Sequence, residues 1–224
     1  MQRAANRVCL IIVLLTLVAL GSCGGNNDDG ALPSRQFAAS AVSLRLPHCP
    51  TAPTPLRKIS TVHGSNRQPP PIGQQMTLRG VVTADFEDSR QLHGFFMQQA
   101  TAASRTHSDG LFVNLPIRAQ RVATGNYIQV SGTIEQTKNR AGRSDGQIRL
   151  GAVSDITVCG DGPPITPREL TLPVESTSQL TVLDGMLVRI PQTLTVTDNH
   201  DLGYHGELML SAETRLWQPY NHPY

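Results

Sequence analysis

Between Gln75 and Cys159 the chain consists of five short runs: "MTLRGVVTADF", "HGFFMQ", "DGLFVNL", "GNYIQVSGTIEQ" and "GQIRLGAVSDITVC". They are rich in β-branched and aromatic residues and partly alternating, and polar connections with Gly and Asp separate them. No segment of ten or more residues carries apolar side chains at helical spacing. Runs of this length and composition are strands, and five of them between turn signals predict an all-β fold, either a small barrel or a sandwich.

One longer connection, "PIRAQRVAT", falls between the third and fourth runs. That is the order of an OB-fold, a five-stranded, partly open barrel, expected here over residues 59–160. A Greek-key sandwich fits the same pattern. Gly80, Gly94, Gly110, Gly132 and Gly151 would serve bulges and corners.

The N-terminus has a different logic. Arg3 and Arg7 precede an apolar run from Val8 to Leu20, and small residues follow. A membrane-spanning helix needs about 20 apolar residues, so this shorter run reads as a secretory signal over residues 1–22. The run closes in "LGSC", which resembles the lipobox of bacterial lipoproteins. The resemblance implies lipidation of Cys23, a membrane partner through the lipid, and a place in the cell envelope. Gly24, rather than an Asp, after the Cys implies the outer membrane. Residues 23–58 are Gly-, Asn-, Ser- and Pro-rich and read as a tether with a Pro-rich lead-in.

Loss of Arg3 and Arg7 with the signal leaves seventeen bases against seventeen acids. The formal balance is therefore zero, with a modest basic bias in the middle of the chain and an acidic bias after residue 160. Two cysteines remain after Cys9 and Cys23. In a secreted chain Cys49 and Cys159 are expected to form a disulfide; two free thiols are the alternative.

Beyond residue 160 the pattern partly repeats. "MTLRGVVTADFEDSRQLHGFFMQ" aligns, with an insertion, to "MLVRIPQTLTVTDNHDLGYHGELMLS". Residues 184–211 thus read as the first two strands of a second unit, and residues 161–224 as an incomplete OB-like β unit. Two strands cannot close their edges, which leaves an open edge for a protein partner.

The segments "PPPIGQQMTLRGVVTADF", "HGFFMQ", "SDGLFV", "VATGNYIQVSGTI", "LDGMLVRIPQTLTVTDNHDLGYHGELMLS" and "RLWQPYN" resemble the N-terminal region of large secreted bacterial nucleases, over about residues 59–221. In that family OB-fold-like domains precede a metal-dependent endonuclease/exonuclease/phosphatase domain. The resemblance covers only the front end, so it implies a non-catalytic module with no cofactor. Transferring nuclease activity would confuse domains. The chain is expected to be a lipid-anchored module that binds nucleic acid weakly. The alternatives are a structural or protein-interaction envelope lipoprotein, or the remnant of a truncated nuclease gene.

Three groups of residues are site candidates. The connection "EQTKNRAGRSDGQ" carries Lys138, Arg140 and Arg143, with Arg149 on the following strand. In an OB-fold this loop and the one between the first two strands flank the ligand face, and Arg pairs with phosphate through a planar fork. Single-stranded or double-stranded DNA is the expected partner. A protein or glycan partner, or a soluble basic loop over an ordinary core, are the alternatives. Phe86, Phe95, Phe96 and Phe112 are available for base stacking. Phe95 and Phe96 are adjacent and must face opposite sides of a regular strand. An aromatic content of 4% weighs against a dedicated stacking groove.

The second group is Asp198, His200, Asp201, His205 and Glu207. Asp, Asn and Gly favour turns, so this reads as a solvated connection between strands. Asp198, Asp201 and Glu207, with Asn199, are weak candidates for calcium, and no metal site is expected. The third is His107, Ser108 and Asp109, which adjoin in sequence and so do not make a triad. There is no GxSxG, HExxH or P-loop, and no enzymatic activity is expected.

Overall fold

A computed structural model describes residues 46–64, 71–88, 91–101, 106–115, 122–138, 146–205 and 208–215. The described residues fall into two compact units, one ending at Pro191 and one beginning at Gln192. The expected signal, Cys23 and the expected tether up to residue 45 lie outside the described residues.

The fold is all-β. The first unit holds β1 (Leu56–Arg57), β2 (Gln75–Phe86), β3 (Gly94–Gln98), β4 (Gly110–Asn114), β5 (Asn126–Gln136), β6 (Ile148–Asp161), β7 (Arg168–Glu169), a one-turn helix α1 (Ser178–Thr181) and β8 (Val188–Arg189). The five expected runs are β2 to β6. Their pairings run β2–β3–β4–β6–β5, and β5 also pairs with β2. Each of the five strands thus has two neighbours. All contacts between consecutive neighbours are antiparallel except β4–β6, which is parallel and spans only Phe112↔Arg149 and Val113↔Leu150.

The period-two pattern sets what is buried. Met76, Leu78 and Val82 of β2, Phe95 and Met97 of β3, Leu111 and Val113 of β4, Ile128, Val130 and Ile134 of β5, and Ile148, Leu150 and Ile156 of β6 form one core. Ile59 and Val62, in and after a 3-10 turn at Ile59–Thr61, fill it from β2 and β4. Register shifts fall between Val82 and Ala84, between Tyr127 and Ile128, and between Ser131 and Thr133. Gly132 therefore lies at a bulge, as expected. Gly80, Gly94 and Gly110 stand in regular ladder positions and serve close approach instead.

Two segments without strand signals pack on this sheet. Residues 46–57, assigned to a tether and lead-in by composition, cover the outer side of β2 and β5. Arg79 donates to the Pro50 carbonyl (2.8 Å) and to Gln129 Oε1 (2.9 Å). The hydroxyls of Thr54, Thr77 and Ser131 link in a chain at 2.7 and 2.8 Å, and β1 runs parallel to β2. The expected disulfide joins Cys49 to Cys159 with Cα atoms 5.0 Å apart, beside Val81 and Tyr127. Residues 161–191 also belong to the first unit, so the sequence-based boundary at residue 160 falls inside it.

The second unit contains β9 (Leu194–Asp198), a short helix α2 (Leu202–His205) and β10 (Met209–Ala212), with β9 and β10 antiparallel. The repeat of β2 is broken here. "MTLRGVVTADF" is one continuous strand, whereas "MLVRIPQTLTVTD" yields β8, a gap and β9. Pro191 stands in that gap, and it lacks the N–H a ladder needs.

Candidate ligand face on the outer sheet

On β3 the core takes Phe95 and Met97, so Phe96 and Gln98 face outward. On β4 it takes Leu111 and Val113, so Gly110, Phe112 and Asn114 face outward. The ladders then set a row of outward positions across the sheet. Ala84 is opposite Phe96, Phe96 opposite Phe112, Phe112 opposite Arg149, and Arg149 opposite Glu135.

Phe86 joins this row because of the β2 bulge. Counting by twos from Met76, Leu78 and Val82 would bury it. The register shift between Val82 and Ala84 moves Ala84 and Phe86 to the outer side, opposite Phe96 and Gly94. The Phe86 and Phe96 rings are 6.1 Å apart and perpendicular, and the Phe96 and Phe112 rings are 5.0 Å apart and tilted by 54°. These are favourable aromatic geometries. A Cβ on Gly94 would lie 2.6 Å from Cζ of Phe112, so the absence of a side chain there admits the ring. Phe112 is 8% exposed, and Phe86 and Phe96 are half-buried with part of each open to solvent.

Arg149 ends the aromatic row. Its Nε and one terminal nitrogen each lie 3.1 Å from Oε2 of Glu135. Both side chains are about a third exposed, so the pair adds about 0–1 kcal/mol of stability. It fixes the planar guanidinium on Glu135, with donors beyond the two directed there, and Arg149 stands opposite Phe112 in the ladder. Lys138 is exposed just after β5. Arg140 and Arg143 lie outside the described residues, so of the four basic candidates the structure places Arg149 and Lys138. The aromatic row itself was not legible as a site from composition. Matching outward positions in β3 and β4 were the available signal for Phe96 and Phe112; Phe86 was among the candidate platforms, but nothing in the sequence showed that it faces outward.

The remaining candidates have structural explanations. Ser108, 1% exposed, donates to the Asp184 carbonyl and accepts from the Gly110 N–H (2.9 Å). His107 pairs with Thr106 at 2.8 Å. His63 Nε2 donates to the Gly110 carbonyl (2.7 Å). A carbonyl cannot donate, so that nitrogen carries a proton and is not a base toward Ser108. Asp198 accepts from the backbone N–H of His200 (2.9 Å), a turn contact. Asp201 is exposed, and Glu207 and the His205 side chain lie outside the described residues. Among the described residues no three His, Cys, Asp or Glu side chains gather as a metal would need.

No protein-family model matches the sequence, and a search of curated proteins returned no match.

Proposed function

We propose that the outer face of β2, β3, β4 and β6 binds single-stranded nucleic acid, with bases stacked on Phe96 and Phe86 and the backbone met by Arg149 and Lys138. The observation that carries this reading is the continuous outward row Phe86–Phe96–Phe112–Arg149. It combines the two parts such a site needs, sequence-tolerant aromatic platforms and a cation able to meet a phosphate. It occupies the strands and flanks the loops that OB-folds use. The resemblance of the chain to the front end of secreted nucleases points to the same ligand. In this reading the module is held on the cell envelope by lipid on Cys23, and its role is binding rather than catalysis.

The test is fluorescence anisotropy of labelled oligo-dT against the purified protein at low and physiological salt. Saturable binding that weakens with salt, and that falls about 5- to 100-fold in Phe96→Ala, supports the proposal. No binding at low salt refutes it. Incorporation of labelled palmitate that is lost in Cys23→Ala tests the anchor separately.

A second reading, a protein-interaction module, is favoured by the β9–β10 hairpin. Among the described residues these two strands pair only with each other, and Val196 and Met209 are exposed. Strand addition to such an edge would appear as concentration-dependent association that Val196→Lys abolishes.

A further inference from the structure

We infer that residues 183–187 form a strap covering a second, latent part of the same ligand face, and that its displacement lengthens the strand of nucleic acid the face can hold. The inference rests on the stacking reading.

The strap crosses β3 and β4 on their outer side. Gln98 and Gly110 are directly opposite one another in the ladder, one same-face step, about 7 Å, from the Phe96–Phe112 pair. At that step the Leu187 N–H donates to Gln98 Oε1 (3.1 Å). Ser108 Oγ donates to the Asp184 carbonyl. A Cβ on Gly110 would lie 2.3 Å from the Gly185 carbonyl carbon and oxygen, so the strap backbone rests directly on the sheet. The Asp184 carboxylate receives Gln147 Nε2 from the connection between β5 and β6 (2.9 Å), and His63 Nδ1 is 3.9 Å away. The strap thus abuts the aromatic row and hides an amide and a hydroxyl, since Gln98 and Ser108 are each 1% exposed.

The strap's attachment differs from that of a strand. Among the described residues its backbone-to-backbone bonds reach none of the five strands: Leu183 N to Leu180 O, Asp184 N to Thr181 O, Met186 N to Leu183 O, and Arg168 N to Leu187 O. Its bonds to the five-stranded sheet run through the side chains of Gln98 and Ser108. Met186 is its buried apolar residue. Removal of the strap therefore breaks no ladder of the sheet. It bares Gly110 as a flat floor, with Gln98 and Ser108 beside it to bond a base edge. The subsite continues the platform for a single-stranded ligand.

The experiment measures affinity for fluorescein-labelled oligo-dT of two to eight nucleotides. The proteins are the wild type, Gly110→Val, whose side chain would collide with Gly185, and Asp184→Ala, which removes the Gln147 and His63 contacts without touching the sheet. Hydrogen exchange of residues 184–189 reports whether the strap has left. In the wild type affinity is expected to level off at about three nucleotides. In the variants the strap amides exchange faster and affinity continues to rise, by about 5-fold or more per added base, to about five. Faster strap exchange with an unchanged length profile overturns the strap inference and leaves the stacking face standing. Unchanged strap exchange in both variants also overturns it, by making the strap a fixed part of the fold. No binding by any of the three proteins overturns both readings. If Gly110→Val does not fold, Asp184→Ala decides.

Discussion

Replacing Cys49 and Cys159 together by serine opens a cross-link between residues 110 apart in sequence. In the chain-entropy treatment, restoring the freedom of a loop of that span stabilises the unfolded state by about 4.8 kcal/mol at 25 °C. On the folded side little changes. The segment carrying Cys49 is also held by the Arg79 bond to the Pro50 carbonyl, the Thr54–Thr77–Ser131 chain and the pairing of β1 with β2. The loss should therefore arise in the unfolded chain while residues 46–57 stay docked. With a urea slope of about 2 kcal/mol/M, the unfolding midpoint should fall by roughly 2–2.5 M. The assay pairs urea titration with hydrogen exchange of the Thr77 amide, which donates to the Pro55 carbonyl (3.1 Å). That amide should stay protected in the double variant. A midpoint shift below about 0.5 M would refute the loop-entropy reasoning. A full shift with the Thr77 amide exposed would move the effect to the folded state and refute the docking part.

Three further outcomes follow from the geometry. Phe95→Ala should destabilise the fold by about 3–5 kcal/mol, because Phe95 is fully buried; Phe96→Ala should lower stability far less while weakening oligo-dT binding, and equal thermal shifts in the two would contradict the assignment of faces. Arg149→Ala should leave stability within about 1 kcal/mol and lower the salt slope of binding by about one; an unchanged slope would remove Arg149 from the interface. Burial raises the Tyr127 phenol above its ordinary 10.0, with Arg79 pulling the other way. A raised folded value means that the neutral phenol is the stabilised form, so this contribution is fully present below about pH 10 and is lost as pH rises through the raised value; Tyr127→Phe should flatten the alkaline decline in stability followed by circular dichroism, and an unchanged decline would exclude Tyr127 as its source.

Much of the first unit was readable without coordinates. β2 to β6 coincide with the five β-rich runs because alternation and turn residues act locally, within a few positions of one another. The disulfide was readable by elimination, on the expectation that Cys9 lies in a signal and Cys23 carries the lipid. The opposition of Phe95 and Phe96 also followed from the period of a strand. Which of the two is buried did not, since that depends on which neighbours the strand meets.

What the sequence by itself determined is the all-β class, the positions of the five strands along the chain and the pairing of Cys49 with Cys159. Tertiary structure decided the rest. The bulge between Val82 and Ala84 turned Phe86 outward and completed the aromatic row, and nothing local in "VVTADF" marks that shift. The lead-in at 46–57 and the strap at 183–187 carry no periodicity, being Pro-rich or irregular. They are held by contacts such as Arg79 with Pro50, Gln98 with Leu187 and Ser108 with Asp184, between residues 29, 89 and 76 positions apart. Contacts of that range are made only once the chain has closed on itself, and they set which part of the outer face is covered and which stays open to solvent.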